Sequence, residues 1–270
     1  MFKFLLAFCV LSFIGCAPQT PGQTLDIPSV QTQIEIPKPE PKLEATEETA
    51  PEEPVPEEAA PASNPIKANP ADSNQPMIAL TFDDGPSTHT RHILDTLTAN
   101  NSRATFFIPG YMVIKYEDTA RAIIEQGSEI GGHSWGHTQY TKYTADELRY
   151  DISSTNNDIF NATGFMPTFY RPPYGTTSDM IKSVSAEMGM SIINWSIDSE
   201  DWKSRDPDKI YDDIMRDVKS GSIILCHDTY STTADAMERV IPALIEQGYQ
   251  LVTVSELLGE MEPGKVYRYR

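Results

Sequence analysis

Seven short runs rich in β-branched and aromatic residues alternate with amphipathic stretches from residue 77 onward, and this alternation limits the fold more than any other feature of the 270-residue chain. Strands are expected over 77–82, 104–108, 129–131, 168–171, 191–196, 222–226 and 250–253, with helices over 91–99, 118–126, 145–160, 178–188, 207–219 and 234–247. Thr144 with Glu147 three residues later reads as a helix start, and Gly127, Gly189, Gly221 and Gly248 fall where helices stop. Strands that alternate with helices imply an α/β domain built on a parallel sheet. The pattern leaves open whether that sheet is closed.

Residues 1–76 differ in kind. Lys3 precedes an apolar run over 4–14 that is too short to anchor stably across a bilayer, so 1–15 reads as an export signal. Its end, Ser12-Phe13-Ile14-Gly15-Cys16, resembles a bacterial lipoprotein signal, which implies cleavage before Cys16, lipid on that cysteine and a membrane-anchored place at the cell surface. Phe13 stands where such signals usually carry Leu, so ordinary cleavage and an uncleaved anchor remain alternatives. Residues 17–76 hold 13 of the 21 prolines, 11 acids against 3 bases, and no aromatic side chain. Such a stretch has no apolar face to bury, so 16–76 is expected to be a disordered acidic, Pro-rich tether, and 77–270 the folded domain. The tether would reach between about 45 Å as a coil and about 190 Å when extended.

Cys9, Cys16 and Cys226 are the three cysteines, and their spacing offers no disulfide framework. The chain carries a net charge of −18, of which −11 falls within 77–270. That balance argues against nucleic acid and suits an uncharged glycan.

The chemistry-bearing residues cluster at expected strand ends. Asp83 and Asp84 close the first run, just before Gly85-Pro86. Alone they would pass for a solvated turn, yet two adjacent carboxylates aimed into one cleft need a proton or a cation between them. His133 and His137 follow the third run at a four-residue spacing that, on a helical turn, lets both imidazoles share a metal. Ser134 stands where an HExxH protease needs its Glu. Next come Arg171-Pro172-Pro173-Tyr174-Gly175, Asp198-Ser199-Glu200-Asp201-Trp202 and Leu225-Cys226-His227-Asp228.

These five motifs, in this order, resemble the NodB-like polysaccharide deacetylases, carbohydrate esterase family four, over roughly residues 76 to 256. The resemblance implies a distorted (β/α)7 barrel with its chemistry at the C-terminal strand ends. It also implies that Asp84, His133 and His137 bind one divalent metal, zinc first on affinity and cobalt second. Asp83 matches the general base, Arg171 the residue that orients it, and the Tyr174 backbone N–H the oxyanion donor. His227 matches the general acid and Asp201 the carboxylate that holds it charged. Trp202 and Leu225 match the walls of the acetyl-methyl pocket, although plain core packing would also explain both. Asp198 has no assigned role, His89 and His92 read as a helix start and its surface face, and Cys226 reads as a buried thiol.

The expected activity is N-deacetylation of N-acetylglucosamine units in a polysaccharide by a monomeric, surface-tethered enzyme. Peptidoglycan ranks first, with chitooligosaccharide, exopolysaccharide and acetylxylan as runners-up. Two rivals from other classes are a catalytically silent glycan-binding lipoprotein and a glycosidase using Asp83 and Asp84. The glycosidase would need its carboxyls roughly 5 to 9 Å apart, and it leaves His133, His137 and His227 without work.

Overall fold

In the computed structural model, which describes residues 71–72 and 74–270, the strands are β1 (Met77–Asp83), β2 (Thr105–Ile108), β3 (Glu129–Gly132), β4 (Phe169–Tyr170), β5 (Ser191–Ile193), β6 (Ile197–Asp198), β7 (Ile223–His227), β8 (Gln250–Leu251) and β9 (Val266–Tyr267). The helices are α1 (Thr90–Ala99), α2 (Gly110–Lys115), α3 (Glu117–Gln126), α4 (Ala145–Thr163), α5 (Asp179–Glu187), α6 (Asp201–Ser204), α7 (Pro207–Asp217), α8 (Ser231–Glu246) and α9 (Val254–Leu258). The expected export signal, Cys16 and nearly all of the tether lie outside the described residues. No helix among the described residues is long and apolar enough to cross a membrane.

β1 is buried at every residue because neighbours cover both of its edges and both of its faces. β7 runs along one edge from Ala79↔Ile223 to Asp83↔His227, and β2 along the other from Thr81↔Thr105 to Asp83↔Phe107. β8 fills the register below β2, opposite Met77 and Ile78. The order β6-β7-β1-β2-β3-β4-β5-β9, parallel throughout, curls into a half-barrel with helices around it, as the distorted (β/α)7 barrel requires. All seven expected strands are present. β6 and β9 extend the two ends of the sheet.

Strand parity separates two apolar layers. Ile78, Leu80 and Phe82 face outward and pack with Ile93, Leu97, Ile241 and Leu244 of the surrounding helices. Met77 and Ala79 face inward with Phe107, Phe169, Ile193 and Ile223. Continuing up the inward face come Thr81 and Asp83, both buried, so the barrel interior turns from apolar to polar at the C-terminal strand ends.

Local signals place the helices that frame this end. Thr144 and Glu147 form the expected capping box of α4, and Gly164 ends that helix at φ 73°. Such a cap stabilises by about 1 kcal/mol. Ser178 caps α5 and Asp206 caps α7, with Pro207 in the first turn of α7.

Candidate active site

A cavity of about 350 Å³ opens at the C-terminal ends of the strands. Eight of the ten residues expected at the site line it: Asp83, Asp84, His133, His137, Tyr174, Trp202, Leu225 and His227. Arg171 and Asp201 stand behind this wall, both 0 % exposed. The lining also includes Trp195, Asp198 and Tyr230, to which the sequence reading gave no role. Tyr230 lies three residues after His227, and a signal for it was available in that proximity alone.

Asp83 ends β1, and a left-handed Asp84 at φ 72° reverses the chain so that both carboxylates meet the cavity. Gly85 follows because nothing larger fits. A Cβ there would lie 2.1 Å from either carboxylate oxygen of Asp228, which is itself buried. Arg171 donates through Nη1 to Asp83 Oδ1 at 2.6 Å and to Thr81 Oγ1 at 2.9 Å. Its Nε and Nη2 donate to the carbonyls of Ile193 and Asn194, and its guanidinium lies 4.0 Å from the ring centre of Phe107. A surface ion pair, the ordinary explanation for a lone Arg, is therefore excluded.

The two histidines converge by a route the sequence reading did not foresee. The segment after β3 is a loop rather than a helical turn, with Ser134 at φ 62° and His137 at φ 54°. Backbone reversal, not helical spacing, brings the imidazoles to 5.0 Å between ring centres. His133 Nδ1 donates to the carbonyl of Arg171 at 2.7 Å. A carbonyl can only accept, so His133 Nδ1 carries a proton and Nε2 is the ring nitrogen left to face the cavity.

Asp84 Oδ1 lies 3.4 Å from His133 Nε2 and 3.1 Å from His137 Nε2, and one ligand atom from each of the three falls within 4.8 Å of the others. Ligand atoms about 2.0–2.1 Å from a tetrahedral zinc are separated by roughly 3.3 Å. The buried Asp84 Oδ1 also lacks a well-formed hydrogen bond. One hard oxygen, two imidazole nitrogens and an oxygen in need of a partner fit a divalent ion.

Asp201 opens α6 and takes its donors from two directions. Oδ1 accepts from His227 Nδ1 at 2.8 Å and Trp202 N–H at 2.8 Å, while Oδ2 accepts from His227 N–H at 2.7 Å and Thr233 Oγ1 at 2.7 Å. Leu225 is buried at 4 % exposure, whereas Trp202 is 48 % exposed and forms part of the rim rather than the core. Tyr174, left-handed at φ 61°, sets its ring edge-on to His137. Of the residues set aside earlier, His92 pairs with Glu238 at 2.7 Å on the surface and Cys226 is a buried free thiol.

Residues 71–193 match the family model described as polysaccharide deacetylase. A peptidoglycan-N-acetylglucosamine deacetylase of Bacillus cereus is 35% identical over 192 residues, covering 69% of this chain and 90% of the relative. The chain belongs to the polysaccharide deacetylase family. It is also 42% identical over 192 residues to the peptidoglycan-N-acetylglucosamine deacetylase PgdA of Listeria monocytogenes, covering 70% of this chain. The peptidoglycan-N-acetylmuramic acid deacetylase PdaC of Bacillus subtilis is 43% identical over 187 residues, covering 69% of this chain. The solved structure of PdaC aligns with a TM-score of 0.66 at 42% identity, over 69% of this chain and 92% of that one. The chain spans only 41% and 39% of the lengths of PgdA and PdaC.

Within this cavity the charge on each group is set by its immediate neighbours. Burial works against ionisation of Asp84, but the imidazoles of His133 and His137 outweigh it and hold the carboxyl well below the usual range. Asp84 in turn raises the pKa of His137 against a smaller opposing effect of burial. Burial also opposes a charge on His227, yet the bond and charge of Asp201, helped by Asp83 and Asp84, push it up to about 9. At neutral pH a charged imidazolium therefore shares the cavity with the carboxyl groups of Asp83 and Asp84, so a proton donor and proton acceptors meet in one site.

Proposed function

We propose that this chain is a metal-dependent N-deacetylase acting on N-acetylglucosamine units of peptidoglycan and releasing acetate. The observation that carries the reading is that two proton devices, Asp83 held by Arg171 and His227 held by Asp201, line one cavity with Asp84, His133 and His137. A silent glycan-binding protein has no use for both devices. A glycosidase has no use for the histidines.

An amide carbonyl is a poor electrophile, so hydrolysis needs an activated water, a stabilised oxyanion and an acid for the leaving amine. A divalent ion held by Asp84 Oδ1, His133 Nε2 and His137 Nε2 would acidify a water and polarise the acetyl carbonyl, with zinc first by donor set and cobalt as a substitute. Asp83, fixed by Arg171, takes the proton as the water oxygen bonds to the carbonyl carbon. The Tyr174 N–H donates to the oxygen that gains charge. His227 then gives its proton to the amide nitrogen as the C–N bond breaks, leaving a glucosamine amine and acetate. Trp202 and Leu225 enclose the acetyl methyl, and Arg171 and Asp201 work only through the groups they hold.

Peptidoglycan is the substrate that the names of three relatives share, and two of those names specify N-acetylglucosamine while one specifies N-acetylmuramic acid. An export signal over 1–15, lipid on Cys16 and the tether over 16–76 would hold a monomeric catalytic domain, 77–270, at the surface of a bacterial cell. Acetate and free-amine release should be measured on peptidoglycan, chitooligosaccharide and acetylxylan, with metal-stripped and metal-restored protein. The reading predicts release from peptidoglycan at glucosamine positions, lost on stripping and regained with zinc. Equal activity without metal, or preference for the xylan ester, would overturn it.

A further inference from the structure

Asp151 interrupts the apolar stripe of α4, where Leu148, Ile152, Thr155 and Ile159 are buried, and it is itself only 5 % exposed. Its carboxylate is turned toward the loop that follows β3. Oδ2 accepts from Ser134 Oγ at 3.1 Å, the Trp135 N–H lies 3.1 Å from both oxygens, and Oδ1 accepts from Tyr140 OH at 2.8 Å. Tyr143 OH adds a fourth donor to Oδ2 at 3.3 Å. Ser134 Oγ meanwhile accepts from Thr138 N–H at 3.2 Å, which ties the loop across His137. Burial, then the charge of Asp151, raises the pKa of Tyr140 well above its ordinary value, so this hydroxyl remains a donor.

The two histidines depend on this loop unequally. His133 is placed by β3 and by the Arg171 carbonyl. His137 lies beyond the strand in a loop with two left-handed non-glycine residues, a conformation that persists only where surroundings impose it. We propose that Asp151 is a positioning residue for the metal centre, gathering the Ser134 hydroxyl and the Trp135 amide so that His137 faces Asp84 and His133. This rests on the reading of those three residues as ligands. An ionised carboxylate accepts all four donors at once, whereas an asparagine at 151 would present an NH2 group to donors and leave some of them unpaired. The expected consequence is a looser ligand set in a protein that still folds.

The test uses the full chain, stripped of metal, with zinc affinity measured by competition against a chromophoric chelator and the visible spectrum recorded with cobalt. Asp151→Asn should weaken zinc binding about 10- to 100-fold, the usual scale for a residue that orients a metal ligand, and should shift the cobalt bands. Tyr140→Phe removes one hydroxyl from the carboxylate and should weaken binding less, with little further loss when combined with Asp151→Asn, because both act through one group. Asp213→Asn alters another buried carboxylate, paired with Lys209 and Arg216 on α7, and should leave affinity and spectrum unchanged. Wild-type affinity and spectrum in a folded Asp151→Asn protein would overturn the proposal. Should that variant fail to fold, unchanged affinity in Tyr140→Phe would overturn it. A wild-type chain that binds no zinc would instead overturn the ligand reading, and this proposal with it.

Discussion

Replacing Asp201 with Asn removes a negative charge 2.8 Å from His227 Nδ1 and keeps the side chain's shape. In the intact site burial disfavours imidazolium, yet the pKa stands at about 9 against an ordinary 6.5 because Asp201, seconded by Asp83 and Asp84, more than compensates. That net preference corresponds to about 3 kcal/mol. Without the Asp201 charge, burial is opposed only by the two more remote carboxylates, and His227 should return to about 6.5 or below. At pH 8 the imidazole would then fall from about nine-tenths protonated to about 3 %, a loss of about 30-fold in amide hydrolysis, while near pH 5.5 the two proteins would differ little. Those fractions describe the site without metal; a bound cation lowers the pKa of His227 in both proteins, so with metal the same separation of the two titrations lies at lower pH. The assay is kcat/KM against pH on an N-acetylated glycan, for metal-loaded wild type and Asp201→Asn. The alkaline limb should move toward acid and the acidic limb stay in place. Coincident alkaline limbs would refute the pairing of Asp201 with a proton-donating His227.

The same pair bears on folding: since the His227 pKa is raised, its contribution to stability should be full below about pH 6.5 and lost as pH rises through about 9, and thermal melts of wild type and His227→Ala should converge at high pH. Asp83→Asn should cut turnover at least about 100-fold while zinc stoichiometry, read by metal analysis, stays intact. Near-normal turnover would move the base elsewhere. Gly85→Ala forces a methyl into the carboxylate of Asp228, so denaturant melts should show a loss of about 1–3 kcal/mol along with impaired catalysis; a neutral effect would contradict the close approach. Cys16→Ala should move the protein from the membrane fraction to the soluble one, and retention would identify 4–14 as an uncleaved anchor.

What the sequence conveyed and what it withheld follow from how much chain each feature occupies. The strand that ends in Asp83 announced itself by a buried apolar run, and α4 by a capping box and a 3.6-residue stripe. β6 and β9 are two residues each and fall outside the expected runs, and α6 is a single turn entered from a left-handed Glu200. α9 could have been found, since Thr253 and Glu256 form the same capping box as Thr144 and Glu147. The residues proposed to hold a metal were legible as types in order, but the geometry that brings His133 and His137 together was not. Left-handed Ser and His carry no compositional mark, unlike glycine. Asp151 did leave a trace, an acid three residues after Leu148 on an apolar helix face, where a charge survives only with donors around it.

The central place of β1 has a consequence for how the protein comes into being. Its hydrogen bonds reach far along the chain: Thr81 Oγ1 donates to Ile224, 143 residues away. Synthesis at about 5–20 residues per second separates these partners by roughly 7 to 30 s. During that interval β2 can join one side of the first strand, but the other side has no partner yet. A strand buried at all seven positions in the finished barrel, with its first charge at Asp83, thus spends its early life with an open edge. In a nascent chain that edge is the segment most exposed to pairing with the wrong neighbour.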